Sequence, residues 1–140
     1  VCFSKDLLIT QNGFNEEFRA SVDREFFLRI STRYQGKGME YIGINCLLGN
    51  HESVRKNFKN QADAYTKLIA MHEELISLHP KRKAWWYHKA MWLNLYAEKK
   101  REAFWFLKKG SFRPKSCLVF LTFLILPTEA GIKFHKRVAS

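Results

Sequence analysis

From about Ser53 onwards, apolar residues recur at three- and four-residue steps. Phe58, Ala62, Tyr65, Ile69, His72 and Ile76 fall on one line before Pro80 interrupts it. Such a row can bury itself only as one face of a helix, so most of the chain is committed to helix packing. The pattern continues past the proline. A second helix is expected near Ala84 to Ala97, with Trp86, Ala90, Leu93 and Ala97 on one face, and a third from Lys99 to Lys109, stopped at Gly110. Together these two predict a helical hairpin. The run Cys117 to Leu126 is apolar but for Thr122, with Pro114 ahead of it and Pro127 behind. Ten residues give roughly 15 Å of helix, about half of what a bilayer core requires, so a short buried helix or one lying in a membrane interface is expected instead of a span.

The first fifty residues follow another rhythm. Short elements alternate with glycine punctuation: "CFSKDLLI" as a strand plus one helical turn, the turn "QNGF", a helix from about Asp23 to Tyr34, the breaker "GKG", and the strand-like "MEYIGINCLL". The expected fold class is therefore α+β, with an α/β segment at residues 1–52 and a helical tail at 53–140.

Charge separates the same two parts. The net charge is +11. Residues 1–80 balance ten basic against ten acidic residues, whereas residues 81–115 carry eleven against two, net +9. A one-signed segment of this kind attracts phosphate, whether of an anionic leaflet or of nucleic acid. Trp85, Trp86, Trp92 and Trp105 lie among these cations and suit a headgroup layer, although Trp86 and Trp92 equally suit helix–helix packing. Nucleic acid is the less favoured partner, because no zinc-finger, helix-turn-helix or RNA-recognition pattern accompanies the charge. Three widely spaced cysteines, Cys2, Cys46 and Cys117, give neither a disulfide framework nor a zinc site.

Asp23 opens the helix of the first part, and an aspartate there is by itself an ordinary helix-start residue. The residues around it narrow the reading. Asn12-Gly13-Phe14-Asn15-Glu16, then Asp23-Arg24-Glu25-Phe26-Phe27-Leu28-Arg29, then the segment "GNHESVRKN" with His51 and Ser53, resemble in order and spacing the motifs of family 2 glycosyltransferases. Val22 stands where that family commonly has a second acid. The resemblance covers roughly residues 1–57 and implies the acceptor-side, C-terminal portion of a GT-A-like catalytic domain. It implies Asp23 as the general base that deprotonates an acceptor hydroxyl. Asn12, Gly13, Phe14 and Arg29 become candidate substrate-binding residues, Arg29 doubling as an ion-pair support for the acidic loop. His51 becomes a candidate contact to the donor diphosphate or metal, with Arg55 and Lys56 as lesser phosphate contacts.

The same resemblance implies a nucleotide sugar and a glycan or lipid-linked acceptor as substrates. It also implies a divalent cation, Mn²⁺ or Mg²⁺, in the parent enzyme, and a cytoplasmic location with contact to an anionic membrane face. The sequence holds no Asp-x-Asp and no glycine-rich phosphate loop. The expectation is thus a piece of a longer protein that lacks the donor-binding half, binds no metal of its own and is inactive alone. A tetratricopeptide-like interaction module is the alternative from another class, weakened by the lack of a 34-residue repeat.

Overall fold

The computed structural model describes residues 3–37, 57–110 and 114–139. They form eight helices: α1 (Lys5–Thr10), α2 (Val22–Ser31), α3 (Phe58–Met71), α4 (Glu73–Ser77), α5 (Pro80–Tyr96), α6 (Lys100–Lys109), α7 (Pro114–Ile125) and α8 (Thr128–Ala139). No strand occurs among the described residues, so the α+β expectation is wrong for them and the GT-A-like sheet is absent from this part of the chain. The first proposed strand is helix α1. Ser4 caps it by accepting from the Leu7 N–H at 3.2 Å, and Asp6 sits in its first turn. A cap and an acidic first turn outweigh the weak β preference of "CFS". The second proposed strand, "MEYIGINCLL", lies outside the described residues.

Helix α5 is the axis of the molecule. Ala84, Tyr87, Ala90, Met91, Leu93, Asn94, Leu95 and Tyr96 are all buried, which covers nearly the whole circumference of its C-terminal half. Helices α3, α4, α6, α7 and α8 pack against it. Pro80 does not end a helix here but begins one, at a first-turn position where its missing N–H costs nothing. The long helix expected from Ser53 to His79 is instead broken at His72, whose φ of −122° leaves the helical region and separates α3 from α4. Beyond the break, the Glu73 carboxylate accepts from the Tyr87 hydroxyl at 2.9 Å and holds α4 to α5. Burial, with that carboxylate beside it, pushes the Tyr87 hydroxyl up to about 12.

The α5–α6 hairpin turns without a glycine. Glu98 takes φ +63°, its N–H bonds the Leu95 carbonyl at 3.1 Å, and the Lys99 N–H bonds Asn94 at 2.8 Å. Those are the two bonds of a Schellman stop, built on a residue that adopts the left-handed region at some cost. At the far end of α6, Gly110 lies against Tyr87 so closely that a Cβ would stand 2.6 Å from the tyrosine Cβ and 2.9 Å from the Phe106 carbonyl oxygen.

Helices α7 and α8 close the other side. His88 Nδ1 lies 2.8 Å from Ser116 Oγ, joining α5 to α7, and His135 Nδ1 lies 2.8 Å from the Tyr96 hydroxyl, joining α5 to α8. The His135 ring also meets Trp92 edge-on at 5.5 Å. Burial holds the His135 imidazole below its ordinary pKa, and Lys115 adds to the effect.

Two outcomes are expected. Gly110→Ala forces Tyr87 or the α6 backbone to move and costs about 1–3 kcal/mol, read as a lower urea midpoint with an unchanged m-value. His135 is neutral in the fold and titrates near its ordinary value of about 6.5 when unfolded, so the unfolded chain binds more protons just below that pH. Its contribution is complete above about pH 6.5 and is lost as pH falls towards the depressed value. Urea midpoints between about pH 7 and about pH 5 decline in the wild type, and His135→Gln flattens part of that slope.

Candidate functional site

Helix α1 ends in a Schellman stop of its own. The Asn12 N–H bonds the Ile9 carbonyl at 3.0 Å and the Gly13 N–H bonds Leu8 at 2.8 Å, with Asn12 at φ +56° and Gly13 at φ +66°. Asparagine and glycine are the two residue types that adopt this left-handed pair most readily, which is why "QNGF" reads as a turn. The turn leaves the Gln11 and Gly13 carbonyls pointing away from the helix, and Arg29 collects both. Its Nη1 donates to the Gln11 oxygen and its Nη2 to the Gly13 oxygen at 2.7 Å. The same guanidinium grips Glu25 in a fork, Nε to Oε1 at 3.1 Å and Nη2 to Oε2 at 3.2 Å.

Glu25 is 1% exposed, and its only full charge partner at bonding distance among the described residues is Arg29. His72 stands behind, its Nε2 3.7 Å from Glu25 Oε1 and buried. The Arg29 plane also covers the Phe26 ring at 5.3 Å, and Phe3 and Phe14 pack on that ring at 5.1 and 5.2 Å. The structure therefore places Asn12, Gly13, Phe14 and Arg29 together in one clamp that fixes the start of α2 against the α1 turn. Phe14 keeps an exposed edge. Arg29 spends its donors on the fold.

Asp23 lies one turn before this clamp. Ser21 is the N-cap residue of α2, at φ +56°, and makes no side-chain cap bond. Its carbonyl accepts from the N–H groups of Arg24 and Glu25, both at 3.1 Å. Asp23 is exposed and enters no hydrogen bond or ion pair among the described residues. Phe26 is buried and packs on Phe27, and neither covers the Asp23 carboxylate.

The Asp23 side chain lines a polar cleft of about 230 Å³ with Ser21, Arg24, Gln61, Tyr65 and Lys89. Arg24 lies over the Tyr65 ring at 5.5 Å. Lys89 is held by three aromatic faces, Tyr65 at 5.6 Å, Trp85 at 5.5 Å and Trp92 at 5.4 Å. Burial lowers the Lys89 pKa, and the nearby Arg24 charge lowers it further. The Tyr65 phenol is pushed above its usual range by burial, with the Arg24 charge opposing. Its hydroxyl is buried and meets no partner at bonding geometry among the described residues.

Sequence reasoning missed Arg24, Gln61, Tyr65 and Lys89. Part of the signal was available: Trp85, Lys89 and Trp92 stand at i−4, i and i+3, on one face of α5. His51, with Arg55 and Lys56, lies outside the described residues. No three His, Cys, Asp or Glu side chains gather to hold a metal among the described residues.

Breaking the clamp tests its weight. Arg29→Ala leaves a buried, unpaired carboxylate and costs about 3–5 kcal/mol in urea unfolding, whereas adding Glu25→Gln to it recovers part of the loss. Comparison of the chain with protein-family models, with curated proteins and with solved structures found no match.

Proposed function

We propose that this chain forms the acceptor side of a family 2-like glycosyltransferase, with Asp23 as the general base. The observation that supports the reading is the exposed Asp23 carboxylate, set in a polar cleft on a helix whose position is fixed by the Arg29 clamp. A base must be reachable by an acceptor and carried on a fixed backbone, and those two properties coincide here.

In the proposed reaction an acceptor hydroxyl enters the cleft and attacks the anomeric carbon of a nucleotide sugar. Its proton passes to an Asp23 oxygen as the new glycosidic bond forms, and the bond to the nucleoside diphosphate breaks. Ser21 and Gln61, which line the cleft, supply neutral hydrogen-bonding groups of the kind sugar hydroxyls pair with. Arg24 and Lys89 would meet a phosphate on a lipid-linked acceptor. The nucleotide sugar and the divalent cation of the parent enzyme would be held by residues other than those described, and no step here passes through the metal. No helix among the described residues is long and apolar enough to cross a membrane. The proposed location is the cytoplasmic side, where nucleotide sugars are used.

In the polypeptide that carries this segment together with a donor-binding half, Asp23→Asn should lower turnover by about 10²-fold or more while leaving helicity intact. An unchanged transfer rate would return Asp23 to the role of an ordinary helix-start residue.

A further inference from the structure

We propose that the outer face of α7 is a docking surface for an anionic lipid bilayer. The helix has two apolar faces. Ser116, Val119, Phe120 and Phe123 point inward and are buried. At 3.6 residues per turn, Leu118, Leu121 and Ile125 form a straight row on the opposite side, and they are 47%, 52% and 79% exposed. Leu124 stands beside that row, also half exposed. A helix facing water carries polar residues there, and one that is apolar all round is covered on all sides.

The length of α7 decides how a bilayer would cover it. Twelve residues make about 18 Å of helix, too short to cross the hydrocarbon core but suited to lying in the interface with one face immersed. The charged residues between Ala103 and Thr128 have a single sign. Lys108 and Lys109 close α6 and Lys115 stands in the first turn of α7, all three exposed. No Asp or Glu occurs between Glu102 and Glu129. An aliphatic row beside uncompensated cations matches acyl chains beside lipid phosphates.

A second copy of this chain fits the same face less well. A symmetric parallel pair built on α7 would bring each cluster of lysines near its equivalent, with no acid between residues 103 and 128 to answer it.

Sedimentation of the full chain with vesicles tests this. Binding to phosphatidylcholine containing phosphatidylserine, and much weaker binding to phosphatidylcholine alone, is expected. Lys108→Gln/Lys109→Gln/Lys115→Gln should weaken binding to the anionic vesicles roughly a hundredfold. Leu121→Glu/Ile125→Glu should weaken it by at least about tenfold with unchanged circular dichroism, since both side chains face solvent. Leu121→Ser/Ile125→Ser provides the same test with less perturbation should the glutamates disturb folding. Absence of binding to anionic vesicles, or binding indifferent to the Leu121 and Ile125 changes, overturns the proposal. So does a dimer in light scattering that those changes dissolve while no vesicle binding is seen.

Discussion

A helix buried around most of its circumference has to be enclosed before anything else in the molecule can be ordered, and α5 is such a helix. Tyr87, Ala90, Met91, Leu93 and Leu95 are buried in its central turns, while the face of Trp85, Lys89 and Trp92 stays partly open. Each flank then dictates a neighbour: α3 and α4 on one side, α6 across the Gly110 contact, and α7 and α8 through Ser116 and His135. Apolar burial of this kind is non-directional and rewards any cover. The polar bonds select which cover. The Tyr87 hydroxyl bonds Glu73 and the Tyr96 hydroxyl bonds His135, so the helices are fixed in register as well as in contact.

The Arg29 clamp performs the same selection at the other end of the chain by stricter means. A buried ion pair gains little over a well-packed apolar pair, yet losing either partner is expensive. Glu25 at 1% exposure cannot accept any partner that leaves its charge unmet, and Arg29 at that point must also satisfy two carbonyls of the α1 turn. The position of Asp23 follows from this demand. Its carboxylate is carried on the first turn of a helix that has one acceptable placement, while its own side chain contributes nothing to that placement.

The helices from Phe58 to Lys109 were legible because their apolar spacing has one period, and even the unmarked turn at Glu98 could be placed between two such patterns. The break at His72 was not, since the row runs through it without a change of step. Helix α1 is too short for any period to show, and its cap at Ser4 is a single-residue signal inside a stretch that also reads as a strand. In the site, the spacing of Glu25 and Arg29 advertises an i,i+4 pair, whereas the grip of Arg29 on Gln11 and Gly13 spans sixteen to eighteen residues and depends on a turn geometry. The cleft needed α3 beside α2 and α5. Gln61 and Tyr65 reach Asp23 only through tertiary packing, which no local pattern encodes.

Helices α5 and α7 show why hydropathy alone misplaces burial. The more apolar of the two is α7, yet α5, with Lys81, Arg82 and Lys83 at its N-terminal end, is the one more enclosed. Burial follows from how many neighbours the topology supplies. Helix α5 lies in the middle of the chain with elements returning to it from both directions, while α7 has α5, α6 and α8 on one side. Its leucines at 118 and 121 stand on a face that the described fold does not cover. A sequence can state that such a helix needs apolar surroundings, but whether those come from the chain or from outside it is decided by topology.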